Sequence, residues 1–470
     1  MASDKFSEQT YLKRRAQTLI IGLKDRLDEI YAGDFPTNSP KLVIDILYKV
    51  LSKLSQEITN STDSDYLSLA CQLAQSLSQY LEFLDNANTE QTPRGLVYIL
   101  EDLLSSLNPS ARLLAWPQAE YNYSIVDIIP ILKRSVTHAF PKRVCDEIFI
   151  DCPNSLNLIS FPRIERDNIL VHSVFGHELG HMIADGFLND YELTSDFRDG
   201  LKVAADIVEL EYKTELMKLS GVELTNAKRH YVGMLIELHK RGIQELLSDC
   251  VAVLIFGPSA LFASYDVLQP DGFDHVPAKP SYYPPSRMRL RIINKILIDE
   301  GYWDALTGFS DEDLPQGVKE FVTNFYAHMS DITSITIDED AINNDPILKA
   351  AYAWVNSTLP DALEYAKNET NNVCYNSSLV TSEIPELLKR LYLGVPPNEL
   401  GVHPEQKSAN WRSAILSAWL YQLAGSRIEG QRIIHLTEHE IKKTHSLTLS
   451  AIEYIILSSK YSQYMRSQGI

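Results

Sequence analysis

The run His177-Glu178-Leu179-Gly180-His181 puts two imidazoles and a carboxylate at a spacing that suits metal chemistry. On a helix, His177 and His181 stand one turn apart and share a face. Both rings can then reach a single ion about 2.0–2.1 Å away. Glu178, beside the first imidazole, is placed to take a proton from an activated water and pass it to a leaving amine. This is the donor and base set that zinc-dependent hydrolysis of an amide bond requires. The chain has 12 histidines, and at that frequency the pattern arises by chance in only about 2% of such sequences. The plainer alternative is two ordinary histidines on a half-buried helix. Gly180, inside the run, costs a helix about 1 kcal/mol relative to Ala, so something is expected to approach the backbone closely there.

A catalytic zinc site takes three protein ligands. The metzincin continuation of the motif needs a Gly and then a His or Asp downstream, but those positions hold Ala184 and Phe187. The best remaining candidate is Glu245, in Glu245-Leu246-Leu247-Ser248-Asp249. Glu245 and Asp249 are one helical turn apart, so both can face the first helix. The strongly apolar run that follows, 250–256, predicts that this helix is buried. Two carboxylates on a buried helix must be neutralised or paired. A metal and a metal-bound histidine would do that, with Asp249 accepting the other ring N–H of His177 or His181. Asp185, Glu209, Glu237 and His239 are rival third ligands. His172 lies off the face of His177 and reads as packing.

These residues need elements to hold them. Residues 1–140 read as helices from apolar spacings of three and four, such as Leu12, Ala16, Leu19, Ile20 and Leu23. Glu147-Ile148-Phe149-Ile150-Asp151 and the segment 156–161 have strand composition, and Cys152-Pro153-Asn154-Ser155 between them is turn-like, which predicts a hairpin. Asp167 or Asn168 is then expected to cap the motif helix. Two long helical stretches follow, about 196–219 and 224–256, separated at Ser220-Gly221. Residues 266–285 read as a Pro-, Asp- and Gly-rich loop. The remainder is again helical, with breaks expected at Gly308, Pro346, Pro360, Pro396-Pro397 and Gly425. The expected organisation is an N-terminal helical region (1–140), a core (141–300) with a helical insertion at about 190–240, and a C-terminal helical region (301–470).

Taken together, His177-Glu178-x-x-His181 and Glu245-x-x-Ser248-Asp249 resemble the gluzincin zinc metallopeptidases. The resemblance covers roughly residues 145–295. It implies a mainly α (α+β) fold whose zincin-like core contains a small β-sheet. It also implies Zn²⁺ held by His177, His181 and Glu245, Glu178 as catalytic base, and Asp249 orienting a ligand histidine. Tyr283-Pro284-Pro285-Ser286-Arg287-Met288-Arg289 is similar to a His-Pro-Pro-x-x-x-Arg segment of some gluzincins, with Tyr283 standing where those proteins carry the His. Tyr283, Arg289, His275, His230 and Tyr231 are candidates for stabilising an oxyanion. By the same resemblance, strand 156–161 would form a cleft edge that pairs with an extended substrate. No Gly-x-Met-x-Asn exopeptidase signature is present, which favours an endopeptidase.

Composition limits the partners. Lys and Arg total 43 against 62 Asp and Glu, a net charge of −19. That argues against a nucleic-acid backbone or an anionic membrane surface as partner. The longest uncharged runs, 66–81 and 250–265, fall short of the ~20 residues of a bilayer span. Five cysteines without a CxxC pair, and no signal-like apolar core near the N-terminus, fit a reduced cytoplasm. The expectation is thus a cytoplasmic zinc endopeptidase acting on a protein or peptide. The alternative is a regulatory or sensor protein that uses a protease-like zinc site for partner binding.

Overall fold

A computed structural model describes residues 8–269, 272–273, 283–310, 312–401, 405–425, 427–429, 432–434 and 436–468. His275 and most of the expected loop 266–285 lie outside them. The chain is mainly α-helical with a small amount of β-structure, as predicted. It forms two compact units that divide between Asp167 and Asn168.

The first unit contains α1 (Glu8–Tyr31), α2 (Ser39–Asn60), α3 (Ser64–Leu77), α4 (Gln79–Asn86), α5 (Arg94–Leu107), β1 (Ala111–Gln118), β2 (Ser124–Asp127), α6 (Ile128–Thr137), α7 (Lys142–Ile148) and β3 (Ser155–Pro162). The apolar repeats read from the sequence do face inward. Ala16, Ile20, Leu23 and Leu27 of α1 meet Val43, Leu47, Val50 and Leu54 of α2 in one core. Asp63 caps α3 by accepting from the amides of Asp65 and Tyr66.

Three expectations fail in this unit. The hairpin at 147–161 does not form. Glu147 and Ile148 end α7, because Cys145 and Ile148 bury one helical side while Ile150 is 76% exposed. No alternating sheet face is left for a strand. β3 instead pairs in parallel with β1 and antiparallel with β2. Both partners lie in the stretch read as wholly helical. β1 escaped notice because it is buried at nearly every position and shows no period of two. As the central strand, β3 has both edges occupied over 157–160. An extended ligand cannot add to it there, which overturns the expected strand pairing at 156–161.

The second unit begins with a 3-10 turn (Val171–Val174) that leads into α8 (Phe175–Tyr191), the motif helix. The cap expected at Asp167 or Asn168 is absent, since α8 starts at Phe175 after Val174, which makes no side-chain cap. Next come α9 (Ser195–Glu211), α10 (Lys213–Leu216) and α11 (Gly221–Phe256). The break foreseen at Ser220-Gly221 is where α11 starts, with Gly221 at positive φ. Gly257, at φ +57, ends α11 and leads into α12 (Pro258–Leu268). The rest is α13 (Ser286–Asp299), α14 (Tyr302–Thr307), α15 (Gln316–Ser334), α16 (Ile337–Asn344), α17 (Pro346–Thr370), α18 (Ser377–Tyr392), β4 (Glu399–Leu400), β5 (Lys407–Ser408), α19 (Trp411–Ala424), β6 (Arg427–Glu429), β7 (Arg432–Ile434) and α20 (Glu438–Ser467). The break expected at Pro360 does not occur. α17 runs through it, held by packing against both α9 and α11. No helix among the described residues is long and apolar enough to cross a membrane. All five cysteines are free.

The site is positioned by the crossing of α8 over α11. A Cβ on Gly180 would lie 2.5 Å from Ser248 Cα, and one on Gly176 would lie 2.7 Å from Ala252 Cα. The two glycines are one turn apart on α8, and their contacts are one turn apart on α11. Backbone therefore meets backbone, which is the close approach that Gly180 predicted. Gly180→Ala is expected to destabilise the chain by about 1–3 kcal/mol through overpacking. Gly233 lies on the exposed side of α11 with nothing within 4 Å of its would-be Cβ. Gly233→Ala should therefore stabilise by up to about 1 kcal/mol. Urea denaturation of the two variants measures both, and opposite signs are the expected result.

Candidate metal centre

α8 and α11 bring His177, Glu178, His181, Glu245, Ser248 and Asp249 together. His177 is nearly buried, and its Nδ1 donates to Asp249 Oδ1 at 2.8 Å. His181 Nδ1 contacts Ser248 Oγ at 3.2 Å. With each Nδ1 engaged by α11, the Nε2 atoms turn toward Glu245. His177 Nε2 lies 3.3 Å from Glu245 Oε2, and His181 Nε2 lies 4.0 Å from Oε1. Outer groups that fix the tautomer and tilt of an imidazole are what metal-binding histidines need.

Two donors on one tetrahedral ion stand roughly 3.3–3.4 Å apart at ordinary zinc–ligand lengths. The His177–Glu245 separation matches this, and the His181–Glu245 separation is wider by a small side-chain shift. Ligand atoms of His177, Glu178 and His181 lie within 4.8 Å of one another. This group could hold a metal ion.

Charges around the site are arranged in pairs. Arg289, in the first turn of α13, grips Asp249 with one edge of its guanidinium, Nε on Oδ2 and Nη2 on Oδ1, each at 2.8 Å. Its Nη1 also lies 3.8 Å from Glu245 Oε2. Arg289 is therefore committed to Asp249 through its Nε/Nη2 edge, while Nη1, 3.8 Å from Glu245, is held by no hydrogen bond among the described residues. Arg241, one turn before Glu245 on α11, donates to Glu245 Oε1 at 3.1 Å. The Tyr283 ring packs against the Arg241 guanidinium, 4.5 Å from centroid to Cζ. Glu245 and Asp249 are almost fully buried, and these contacts keep them ionised.

Protonation follows from this arrangement. Burial opposes charge on His177, but the charge and hydrogen bond of Asp249 and the hydrogen bond of Glu245 prevail, so its pKa rises to about 9. His181 lacks such a carboxylate bond. Burial and the neighbouring His177 charge lower it to about 4. Burial raises Glu178 to about 7, helped by Glu245 and opposed by His177 and Arg289. Glu245 and Asp249 are both depressed. Burial works against them, but His177 and Arg289 overcome it at Glu245, and Arg289 and His177 do so at Asp249.

The rival ligands stand in other partnerships. Asp185 accepts from Gln244 at 2.8 Å. Glu209 pairs with Lys228 and Tyr231. His239 stacks on Trp354 at 3.8 Å and meets Thr358 Oγ1 through Nε2. Glu237 and His230 are exposed on α11. His172 is buried beside Phe175, consistent with a packing role. Arg241 and Gly176 were not singled out from the sequence. Arg241 carried one readable signal, an Arg–Glu pair at i, i+4 on a helix, and Gly176 carried another, its repeat one turn before Gly180.

A metal that takes His177 Nε2 must displace its proton. Affinity for a divalent ion is therefore expected to fall about tenfold per pH unit below about 9 and to level off above it. Calorimetric titration across pH checks this. Arg289→Gln removes the counter-charge of a buried carboxylate and should cost about 3–5 kcal/mol of stability, read by thermal unfolding. Set against protein-family models, curated proteins and solved structures, the chain matches none of them.

Proposed function

We propose that this chain is a zinc-dependent endopeptidase acting on a protein or peptide. The observation that supports the reading best is that both imidazoles have Nδ1 engaged by α11 and Nε2 turned toward one carboxylate. His177, His181 and Glu245 would hold the ion, since two imidazoles and a carboxylate form a donor set typical of hydrolytic zinc. When bound, zinc supplies Lewis acidity, acidifying a water and polarising the scissile carbonyl. Glu178 takes the proton of the attacking water and delivers it to the leaving amine. Its carboxyl, lifted to about 7 by burial, suits both tasks near neutral pH. Asp249 and Arg289 position His177. The resemblance to gluzincins rests on these same residues. A cytoplasmic setting belongs to the reading and is supported by the five free thiols.

One observation favours a second reading. Glu245 is already satisfied by Arg241 and Arg289, and His177 is charged against Asp249. The cluster is thus electrostatically complete as a metal-free helical scaffold or partner-binding element. Metal analysis of the purified chain separates the two, with about one zinc per chain expected. Glu178→Gln is expected to keep that zinc and lose turnover of a peptide library by at least about a hundredfold. Turnover retained in Glu178→Gln would falsify the mechanism.

A further inference from the structure

We infer that Arg241 is a specificity-determining residue that binds a carboxylate of the substrate, on the strength of its half-committed position beside Glu245. The inference rests on the peptidase reading and names the substrate class for that site.

The two arginines on Glu245 are not equivalent. Arg289 makes two hydrogen bonds to Asp249, through Nε and Nη2, and its side chain is 15% exposed. Arg241 has one hydrogen bond among the described residues, Nη1 to Glu245 Oε1, and its side chain is 36% exposed. A guanidinium carries further N–H donors in a planar fork shaped for a carboxylate. The ring of Tyr283, itself 41% exposed, packs against Arg241. A stacked guanidinium keeps its charge and its orientation while its edge remains open to a ligand.

Charge balance gives that open edge its role. Arg241 is neutralised here by Glu245, which also contacts His177 and Arg289. When Glu245 serves as a metal ligand, its charge is shared with a dication and Arg241 becomes the surplus cation at the edge of the site. A carboxylate one fork away restores the balance with two parallel N–H···O bonds. The source is an acidic side chain near the scissile bond, as an endopeptidase requires, or a free C-terminal carboxylate, which would make the chain a carboxypeptidase instead. Both present the same oxygens. The net charge of −19 repels acidic peptides at long range, so the preference must arise from this local contact.

The test uses zinc-loaded full-length Glu178→Gln protein and fluorescein-labelled peptides in matched sets. One set has Asp or Glu against Asn or Gln at each position. The other has a free against an amidated C-terminus. Anisotropy is expected to show at least about tenfold tighter binding of the acidic member of one set. The set that shows it identifies the source of the carboxylate. Adding Arg241→Gln should abolish the difference, and Arg241→Lys should restore only part of it, because an ammonium has no fork. Tyr283→Leu, at an exposed position that tolerates change, should reduce it severalfold. Equal binding of acidic and neutral peptides, or a preference that survives Arg241→Gln, overturns the inference. Charge-selective binding without wild-type cleavage sinks the peptidase reading and leaves the carboxylate site standing. Cleavage without charge preference does the reverse.

Discussion

The site depends on one backbone contact. α8 and α11 cross where Gly176 and Gly180 lie against Ala252 and Ser248, closer than any side chain on α8 would permit. At that separation the next residues along each helix must interleave. His177 and His181 flank the glycines on one helix, and Glu245 and Asp249 flank the contact on the other. Short side chains on α11 can then reach imidazole nitrogens on α8 within hydrogen-bond range. Glycine weakens a helix in isolation. Here that cost is offset by the depth of the crossing, because both helices bury apolar residues beside the polar cluster, Phe175, Leu179 and Ile183 on α8 and Leu246, Val251 and Ile255 on α11.

Burying this much charge is stable only because each group has a counterpart. Asp249 faces His177 and Arg289, and Glu245 faces His177, Arg241 and Arg289. The network spans three helices, α8, α11 and α13, so it ties the downstream arginine to the motif helix. The same charges split two histidines that look identical in the motif. His177 is raised and His181 lowered, since only His177 meets a buried carboxylate through its Nδ1. A metal entering here competes with a proton at one imidazole and finds the other already neutral.

Much of the helical plan was legible in the sequence. The junction at Ser220-Gly221, the buried run at 250–256 and the inward faces of α1 and α2 all follow from periodicity and glycine placement, which are local signals. The small sheet was not legible in the same way. β1 is buried on both faces, so no alternation marks it, and its partner β3 lies well downstream with α6 and α7 between them. Glu147-Ile148-Phe149-Ile150 has strand composition but ends a helix, because burial of Cys145 and Ile148 on one helical side outweighs propensity. Pro360 was read as a break, yet packing on two neighbouring helices carries α17 through it.

The sequence by itself determined the chemistry available at the motif. His177 and His181 share a helix face by spacing alone, Glu178 must stand beside them, and Glu245 with Asp249 must share a face of a buried helix. These are consequences of a 3.6-residue repeat and hold wherever the helices are placed. Tertiary structure decided which donors converge and which cations answer them. It set Glu245 rather than Asp185, Glu209 or His239 against both imidazoles, committed Arg289 to Asp249, and left Arg241 beside Tyr283 with an open edge. Those outcomes depend on a crossing between helices far apart in the chain, and a local repeat carries no information about the distance or angle of such a crossing.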